Sequence, residues 1–145
     1  MATAKDLLRG RTMGEVFSVG PDASVQEALD LLAEHNVGAL LVMDMNGRVN
    51  GILSERDIVR KVGLHGRSAY ETKVREIMTG KVLYVEADQS VEECMALMND
   101  KGIRHLPVYE KGTLLGLISV RDVLRMVITE QQIFITHLEQ YIRGG

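Results

Sequence analysis

The chain has 145 residues, of which 46% are hydrophobic and 26% charged, and its net charge is −3 at neutral pH. This length suits one packed domain or two half-domains that share a core, and the scattered basic residues leave no electrostatic footprint for nucleic acid. No apolar run approaches the roughly 20 residues of a membrane span, and residues 1–20 lack a signal-peptide pattern, so we expect a cytoplasmic protein with no nucleic-acid or membrane partner.

The cysteine and the histidines predict no reactive centre. Cys94 is the only cysteine, and its place on an apolar helical stripe favours a buried small residue over a nucleophile. The four histidines have no metal-ligand spacing with each other or with Cys94; they are His35, His65, His105 and His137. Because no nucleophile–base set or phosphate-binding loop is readable either, we expect no enzyme, no metal and no catalytic cofactor.

The first elements in the chain are a lead-in helix, a strand and a longer helix. Leu7 and Leu8 favour a short helix that docks on the body, because a helix of this length is unstable alone. Residues 16–19 predict a strand, and Ser24 opens a helix through a capping box. The apolar positions of that helix recur at helical spacing, which predicts a core face. They are Val25, Ala28, Leu29 and Leu32.

A hairpin and a second helix follow. Residues 39–43 and 49–53 predict two strands, and Asn46-Gly47 between them is a hairpin turn signal. The next helix begins at Ser54 and is expected to end near Gly63.

The same pattern recurs in the second half. A strand over residues 82–85 and a helix opened by Ser90 lie 66 residues after their first-half counterparts, and the shift falls to 65 at the hairpin. A length change at a loop tip is well tolerated. Each copy therefore predicts strand, helix, strand, strand and helix. The second helix again carries an apolar stripe, formed by Val91, Cys94, Met95 and Met98.

The two copies differ chemically in their second strand. Residues 104–108 are Arg-His-Leu-Pro-Val, whereas residues 38–42 are Gly-Ala-Leu-Leu-Val. Pro107 cannot donate to a strand ladder, so this stretch is expected at a sheet edge or where the strand diverges. Divergence there would leave room for a ligand.

The last helix is predicted to run from Asp122 to Arg143 and to end at Gly144–Gly145. Its apolar stripe has heptad spacing with one polar member. The stripe consists of Leu124, Ile128, Gln131, Ile135, Leu138 and Ile142. Two interpretations remain open: the stripe packs on its own body, or it packs on a second chain.

Seven residues occur twice, at Gly51–Asp57 and Gly116–Asp122: glycine, two apolar residues, serine, a variable residue, arginine and aspartate. The apolar pair suits a buried strand and Ser-x-x-Asp suits a helix start, so each motif lies at a strand-to-helix turn. Free N–H groups and the positive dipole end favour an anion there, while the aspartate can accept hydrogen bonds from a ribose diol. These preferences together indicate a nucleotide.

A simpler interpretation assigns both motifs to helix capping. Ser54 and Ser119 would then only cap helices, while Asp57 and Asp122 would only complement the helix dipoles. The repetition of the whole motif, with an arginine in each copy, favours nucleotide binding over capping alone.

The repeated units resemble a tandem pair of cystathionine beta-synthase (CBS) domains of the small stand-alone bacterial type. The resemblance rests on the two motifs, the strand 104–108 and the linking segment 74–79, and covers about residues 12–129. It implies an α+β fold of two βαββα units packed about a pseudo-twofold axis, with a longer C-terminal helix. The expected segments are a lead-in (1–11), unit 1 (12–63), a linker (64–75), unit 2 (76–129) and a helical extension (130–145).

The resemblance also implies two clefts for adenosine-containing ligands such as AMP, ATP, NAD or S-adenosylmethionine. In each cleft an aspartate would bind ribose, a serine would lie by ribose or phosphate, and basic groups of the other unit would reach the phosphate. The residues of one cleft would be Ser54, Asp57, Arg104, His105 and Arg121. Those of the other would be Ser119, Asp122 and Arg56. Gly38 and Ala39 stand where basic residues would help the second cleft to hold phosphate.

Two functions are compatible with these features. The first is a non-catalytic regulator that binds an adenine nucleotide and signals through conformation or association. The second is a scaffold with vestigial clefts that acts on an unidentified protein target through its C-terminal helix. The basic pair Arg104–His105 favours the regulator, since a scaffold needs the helix caps but not these charges. Paired CBS modules usually form homodimers, so we expect a homodimer here.

Overall fold

The computed structural model describes residues 2–9 and 16–143. Its helices are α1 (Ala4–Leu7), α2 (Val25–His35), α3 (Glu55–Ile58), α4 (Val74–Ile77), α5 (Val91–Lys101) and α6 (Val120–Arg143). Its strands are β1 (Ser18–Val19), β2 (Ala39–Met43), β3 (Val49–Ser54), β4 (Val85–Glu86), β5 (His105–Glu110) and β6 (Thr113–Ser119). A π-helical turn, Val59–Gly63, continues α3. The predicted start of unit 1 at residue 12 and the predicted helix end at Gly144–Gly145 lie outside the described residues.

The chain divides into two compact units. The N-terminal unit is Glu15–Leu83, and the C-terminal unit combines Met1–Gly14 with Tyr84–Gly145. Each contains a three-stranded sheet whose first strand is parallel to the middle strand and whose third strand is antiparallel to it. The predicted α+β class and the strand–helix–strand–strand–helix order of each repeat are confirmed.

The N-terminal unit packs α2 against its sheet. The hydroxyl of Ser24 accepts a hydrogen bond from the Glu27 N–H at 3.1 Å, which caps the helix start. The helix ends where Asn36 adopts a left-handed conformation at φ 51°. Three of the four predicted core positions are buried, and Leu29 is only half-buried. The helix stripe, the middle strand and β3 together form the core, which includes Val25, Ala28, Leu32, Leu40, Val42 and Leu53.

The C-terminal unit packs α5 in the same way. Ser90 and Glu93 form a reciprocal capping box at its start, and Cys94 is fully buried, as predicted. The prediction that Met95 joins the core stripe is wrong, because this side chain is 41% exposed. A short helix on a three-stranded sheet buries only a narrow stripe, and Met95 lies at its margin.

Two positions were predicted for Pro107, a sheet edge or a point where the strand diverges, and the sheet edge is wrong for the strand as a whole. β5 is the middle strand of its sheet. However, β4 pairs with β5 only from Val108 onward, so at Pro107 the strand has one neighbour, β6, through Leu117. The N–H that proline lacks is therefore not needed by a second ladder at this position.

The first strand of each unit is shorter than predicted. Residues 16–19 and 82–85 were expected to be strands, but only Ser18–Val19 and Val85–Glu86 pair with the middle strand. The aromatic residue before each short strand makes a ring contact, and the Phe17 carbonyl also accepts a hydrogen bond from the Leu41 N–H at 3.2 Å. Phe17 stacks on His35 with ring centroids 3.7 Å apart, and Tyr84 meets Tyr109 edge-on at 5.3 Å. The residues of these two runs that lie outside the paired strands therefore contribute side-chain contacts rather than further strand pairing.

Each unit is completed by a short helix that precedes the other repeat in sequence. Helix α1 docks on the C-terminal unit, where the Ala4 N–H donates to the Gln89 carbonyl at 2.8 Å and Leu7 is buried. Helix α4 docks on the N-terminal unit, where the Val74 N–H donates to the Ala23 carbonyl at 2.9 Å. The predicted docking of the lead-in helix is therefore confirmed.

These docked segments explain the glycine that opens each seven-residue motif. A Cβ at Gly51 would lie 2.7 Å from the Thr79 carbonyl oxygen and 2.8 Å from the sulfur of Met78. A Cβ at Gly116 would lie 2.9 Å from a methyl carbon of Leu8. The close approach of the covering segment therefore requires a glycine at Gly51, where the contact is with backbone, and favours one at Gly116, where the contact is with a side-chain methyl group.

Helix α6 reaches Arg143, as predicted. Its first turns pack on the C-terminal unit and bury Val123. From Ile128 onward every side chain is exposed. The interpretation that the apolar stripe packs on its own body is therefore wrong for this part of the helix.

Candidate ligand-binding turns

The first motif forms a reciprocal capping turn at the start of α3. The N–H and the hydroxyl of Ser54 both donate to Oδ2 of Asp57, at 3.0 and 3.1 Å. The Asp57 N–H donates back to the Ser54 hydroxyl at 3.2 Å. The Glu55 N–H donates to the Gly38 carbonyl at 3.0 Å, which fastens the helix start to the strand entrance of β2.

The second motif has the same bonds at the start of α6. The N–H and the hydroxyl of Ser119 donate to Oδ2 of Asp122, at 2.7 and 3.0 Å, and the Asp122 N–H donates to the Ser119 hydroxyl at 3.3 Å. The Val120 N–H donates to the Arg104 carbonyl at 2.9 Å. The two motifs therefore build one local structure twice.

These hydrogen bonds use backbone N–H groups that the sequence predicted to be free for an anion. Three of the four N–H groups from Ser54 to Asp57 already donate within the chain. An anion at this turn would depend on side-chain cations more than on backbone donors. The capping that the simpler interpretation predicted is present, and the nucleotide role of these residues stays a prediction.

Lys61 belongs to the first turn and was missed from the sequence. Its Nζ lies 3.5 Å from Oδ1 of Asp57 and donates to the Ile77 carbonyl at 2.9 Å. The i,i+4 spacing of Asp57 and Lys61 on a helix was the available signal. Met126 holds the corresponding place in the second copy, so the cation is specific to the N-terminal unit at this position.

The basic strand entrance of the C-terminal unit lies beside the second turn. His105 is the register partner of Ser119, and its burial lowers its pKa from the usual 6.5. The nearby Asp122 carboxylate opposes this lowering of the pKa, and Arg104 adds to it. Burial therefore disfavours the protonated form of His105. In the N-terminal unit the corresponding register partner of Ser54 is Ala39.

The guanidinium groups at both turns are available to a ligand. Arg56, Arg104 and Arg121 are exposed, and within the described part of the chain none of them joins an ion pair. One group of predicted site residues comes together in each unit. The N-terminal unit holds Ser54, Arg56 and Asp57. The C-terminal unit holds Arg104, His105, Ser119, Arg121 and Asp122. The combination of residues across the two copies stays a prediction.

Other chemistries find little support among these residues. In residues 2–9 and 16–143, no three His, Cys, Asp or Glu side chains are grouped so that they could hold a metal ion. Burial raises the pKa of the Cys94 thiol to about 11, which keeps it protonated. No helix in the same ranges combines the length and apolar character of a membrane span.

Comparison with known proteins gives the family. A family model for the CBS domain matches residues 4–63 and 74–129, once on each repeat. The chain belongs to the CBS-domain family. The repeats are therefore a tandem CBS pair, as the motifs predicted, and proteins of this kind are generally regulatory or signal-transduction modules.

Three relatives illustrate the range of such CBS proteins. The mitochondrial CBS domain-containing protein CBSX3 of Arabidopsis thaliana is 39% identical over 128 residues, which are 86% of this chain but only 62% of that protein. A solved CBS-domain structure from Burkholderia ambifaria, named for signal transduction, is 45% identical with a TM-score of 0.84 and covers 90% of this chain and 96% of its own. The hexameric CBS-CP12 protein of bloom-forming cyanobacteria is 31% identical with a TM-score of 0.75, over 86% of this chain and 70% of its own.

Proposed function

We propose that this CBS pair is a non-catalytic regulator that binds an adenosine-containing nucleotide, such as AMP, ATP or NAD, at its Ser-x-Arg-Asp turns. The observation that carries the proposal is the duplication of a carboxylate-bearing turn beside exposed guanidinium groups. Capping alone requires the serine and the aspartate of each motif. It does not require an exposed arginine between them in both copies, nor the pair Arg104–His105.

The ribose would be held by Asp57. A carboxylate offers about four lone-pair sites, and the capping bonds use those of Oδ2. Oδ1 lies 3.5 Å from Nζ of Lys61 and takes no part in the capping bonds, so it can accept from a further donor. A ribose diol supplies two hydroxyl donors. The capping bonds fix the direction of the carboxylate, so little side-chain entropy is lost when the ligand binds.

The phosphate would be held by the arginines and His105. A phosphate carries up to two negative charges, and its partial burial needs charge-assisted donors. Fixed positive charge is supplied by Arg56 in the N-terminal unit and by Arg104 and Arg121 in the C-terminal unit, and the anion itself would favour the protonated form of His105. A scaffold acting only through α6 would leave this concentration of basic groups without a role.

The proposed contact between Asp57 and the ribose is tested by the Asp57→Ala variant. Loss of a hydrogen-bonded carboxylate should weaken nucleotide binding by about 1.5–3 kcal/mol, measured by calorimetric titration with AMP. The matched control is Glu93→Ala, which removes an equivalent capping carboxylate from α5 and should leave AMP affinity unchanged. Thermal unfolding of both variants reports the shared cost of losing a cap, about 1 kcal/mol.

Unchanged AMP affinity in a folded Asp57→Ala protein would return Asp57 to a capping role. An equal loss in Asp57→Ala and Glu93→Ala would show that the effect arises from stability rather than from contact. Mass-spectrometric identification of small molecules retained by the purified chain would select among the adenosyl ligands.

A further inference from the structure

Two Asn-Gly pairs lie in the hairpin of the N-terminal unit, and the structure gives them different surroundings. Asn46-Gly47 is at the exposed tip between β2 and β3, whereas Asn50-Gly51 lies within β3. In such a pair the backbone nitrogen of the glycine can react with the side-chain amide of the asparagine, because glycine has no Cβ that hinders the approach. The two pairs share this chemistry, so their surroundings decide where it occurs.

We propose that Asn46 is a site of spontaneous covalent modification, at which its side-chain amide is converted to a carboxylate, and that Asn50 is protected from the same reaction. The only reactant besides the chain itself is water. This assignment concerns the hairpin tip and does not rest on the proposed nucleotide binding.

The reaction proceeds through a cyclic imide. Solvent base removes the proton of the Gly47 N–H, and the nitrogen attacks Cγ of Asn46 to form a succinimide ring. The bond from Cγ to the side-chain nitrogen breaks, and that nitrogen takes a proton from water and leaves as ammonia. Water then opens the ring at either carbonyl, which gives an aspartate or an isoaspartate, in which the backbone runs through the former side chain. The net change is uptake of water and loss of ammonia, and nothing is oxidised or reduced.

The surroundings of Asn46 favour ring formation. Asn46 and Gly47 are both exposed, and a Cβ at Gly47 would meet no atom of the described residues within 4 Å. The Asn46 backbone N–H donates to Oδ1 of Asp44 at 2.9 Å. Its side-chain amide makes no hydrogen bond within residues 2–9 and 16–143, so it is able to turn toward the Gly47 nitrogen.

A single hydrogen bond holds the attacking nitrogen. The Gly47 N–H donates to the Asp44 carbonyl at 3.0 Å. This bond lies at an exposed loop tip, where local opening costs little free energy. The nitrogen is therefore released for reaction while the rest of the unit stays folded.

The surroundings of Asn50 oppose the same reaction. In the orientation that its neighbours favour, the Asn50 side-chain nitrogen donates to Oδ2 of Asp44 at 3.2 Å and to the Arg48 carbonyl at 3.3 Å. Gly51 is the register partner of Val42 in the middle strand. A strand paired in a sheet opens only together with larger parts of its unit, so both the amide and the attacking nitrogen of this pair are held in place.

The modification would add a negative charge to one of the two hairpins. The new carboxylate at position 46 would lie two residues from Asp44, at the tip of the N-terminal hairpin. The corresponding tip of the C-terminal unit is Lys111-Gly112, which has no side-chain amide. The change of charge would therefore distinguish the two units.

Peptide mapping by mass spectrometry tests the site. The native chain is incubated at mildly alkaline pH, and the mass gain that accompanies the exchange of ammonia for water is followed at each asparagine. In the folded chain Asn46 should be modified at least about tenfold faster than Asn50. In urea the two rates should become similar, because both pairs then lose their surroundings.

Isoelectric focusing of two variants supplies the matched control. The native chain should form an acidic species with time, and Asn46→Gln should abolish it, because the longer side chain does not close the same ring. Asn99→Gln changes another exposed asparagine, which lies on α5 and is not followed by glycine, and should form the acidic species at the native rate.

Three results would overturn the proposal. The first is an Asn46 that stays unmodified in the folded chain under conditions that modify it in urea. The second is an equal rate at Asn46 and Asn50 in the folded chain, since the surroundings would then have no effect. The third is an acidic species that still forms at the native rate in Asn46→Gln.

Discussion

The two CBS units share their turn geometry and differ in the charges around it. Both helix starts use the same serine–aspartate bonds within 0.3 Å of each other. Beside them the N-terminal unit has Gly38, Ala39 and Lys61, whereas the C-terminal unit has Arg104, His105 and Met126. The serine and the aspartate that both units share are the residues that cap each helix. The residues that differ take no part in these capping bonds, so they are where the units can take different roles.

The helices after the two turns also differ. After α3 the chain makes a π-helical turn that closes with the Leu64 N–H donating to the Val59 carbonyl at 2.9 Å, and the helix stops at Gly63. After the second turn, α6 continues for 24 residues. The helix after the first motif is therefore short, whereas the helix after the second motif is long and its later turns are exposed. The two copies share the helix start and differ in the helix that follows it.

The largest expected effect compares the two motif glycines. Gly51→Ala should lower the free energy of unfolding by about 2–3 kcal/mol, because the new Cβ meets a backbone oxygen at 2.7 Å. Gly116→Ala should cost about 1 kcal/mol, since Leu8 can move its methyl group away. Urea denaturation measures both.

The Leu8→Ala change supplies the control. It makes room for the new methyl group, so Gly116→Ala should cost less in a Leu8→Ala background than in the native chain. If Gly51→Ala and Gly116→Ala lowered the free energy of unfolding equally, the prediction that the segment over Gly51 is more rigid than the segment over Gly116 would be wrong.

A smaller effect follows from the depressed pKa of His105. The unfolded chain binds a proton at this residue near pH 6.5, while burial makes the folded chain resist it, so stability present above that pH is lost as pH falls through and below it. His105→Gln should remove this component and flatten the decline between neutral and acidic pH. Thermal unfolding across that range measures it.

His65→Gln, in an exposed loop, is the control for the loss of a histidine. A decline that is the same in His105→Gln as in the native chain would mean that the C-terminal unit does not hold this histidine neutral.

Much of the fold could be predicted because the same sequence pattern occurs in both repeats. The capping serines, the Asn46-Gly47 turn and the extent of α6 all follow local rules, and Gly47 has the φ of +79° that such a turn requires. The short first strands and the exposure of Met95 depend on how far a neighbouring element reaches, which a one-dimensional pattern does not contain. The docking of α1 and α4 away from the repeat that each precedes is likewise a property of tertiary packing.

The sequence predicted which residues form the candidate site, but not which hydrogen bonds they make. The repeated motif identified Ser54, Asp57, Ser119 and Asp122, and the structure places each in a turn. The use of most backbone N–H groups by the chain itself was not foreseen, since helix starts usually leave donors free. Lys61 was overlooked because a lysine after an aspartate on a helix is most often a surface pair.

The most direct test of the account is a titration of the native chain with AMP and with adenosine. The basic groups are divided unequally, so two sites should bind AMP with affinities at least about tenfold apart, while adenosine should hardly distinguish them. Arg104→Ala combined with His105→Ala should remove most of the difference for AMP and leave adenosine binding unchanged. Two equal AMP affinities in the native chain, or a double variant that loses adenosine as much as AMP, would contradict the assignment of these residues to phosphate.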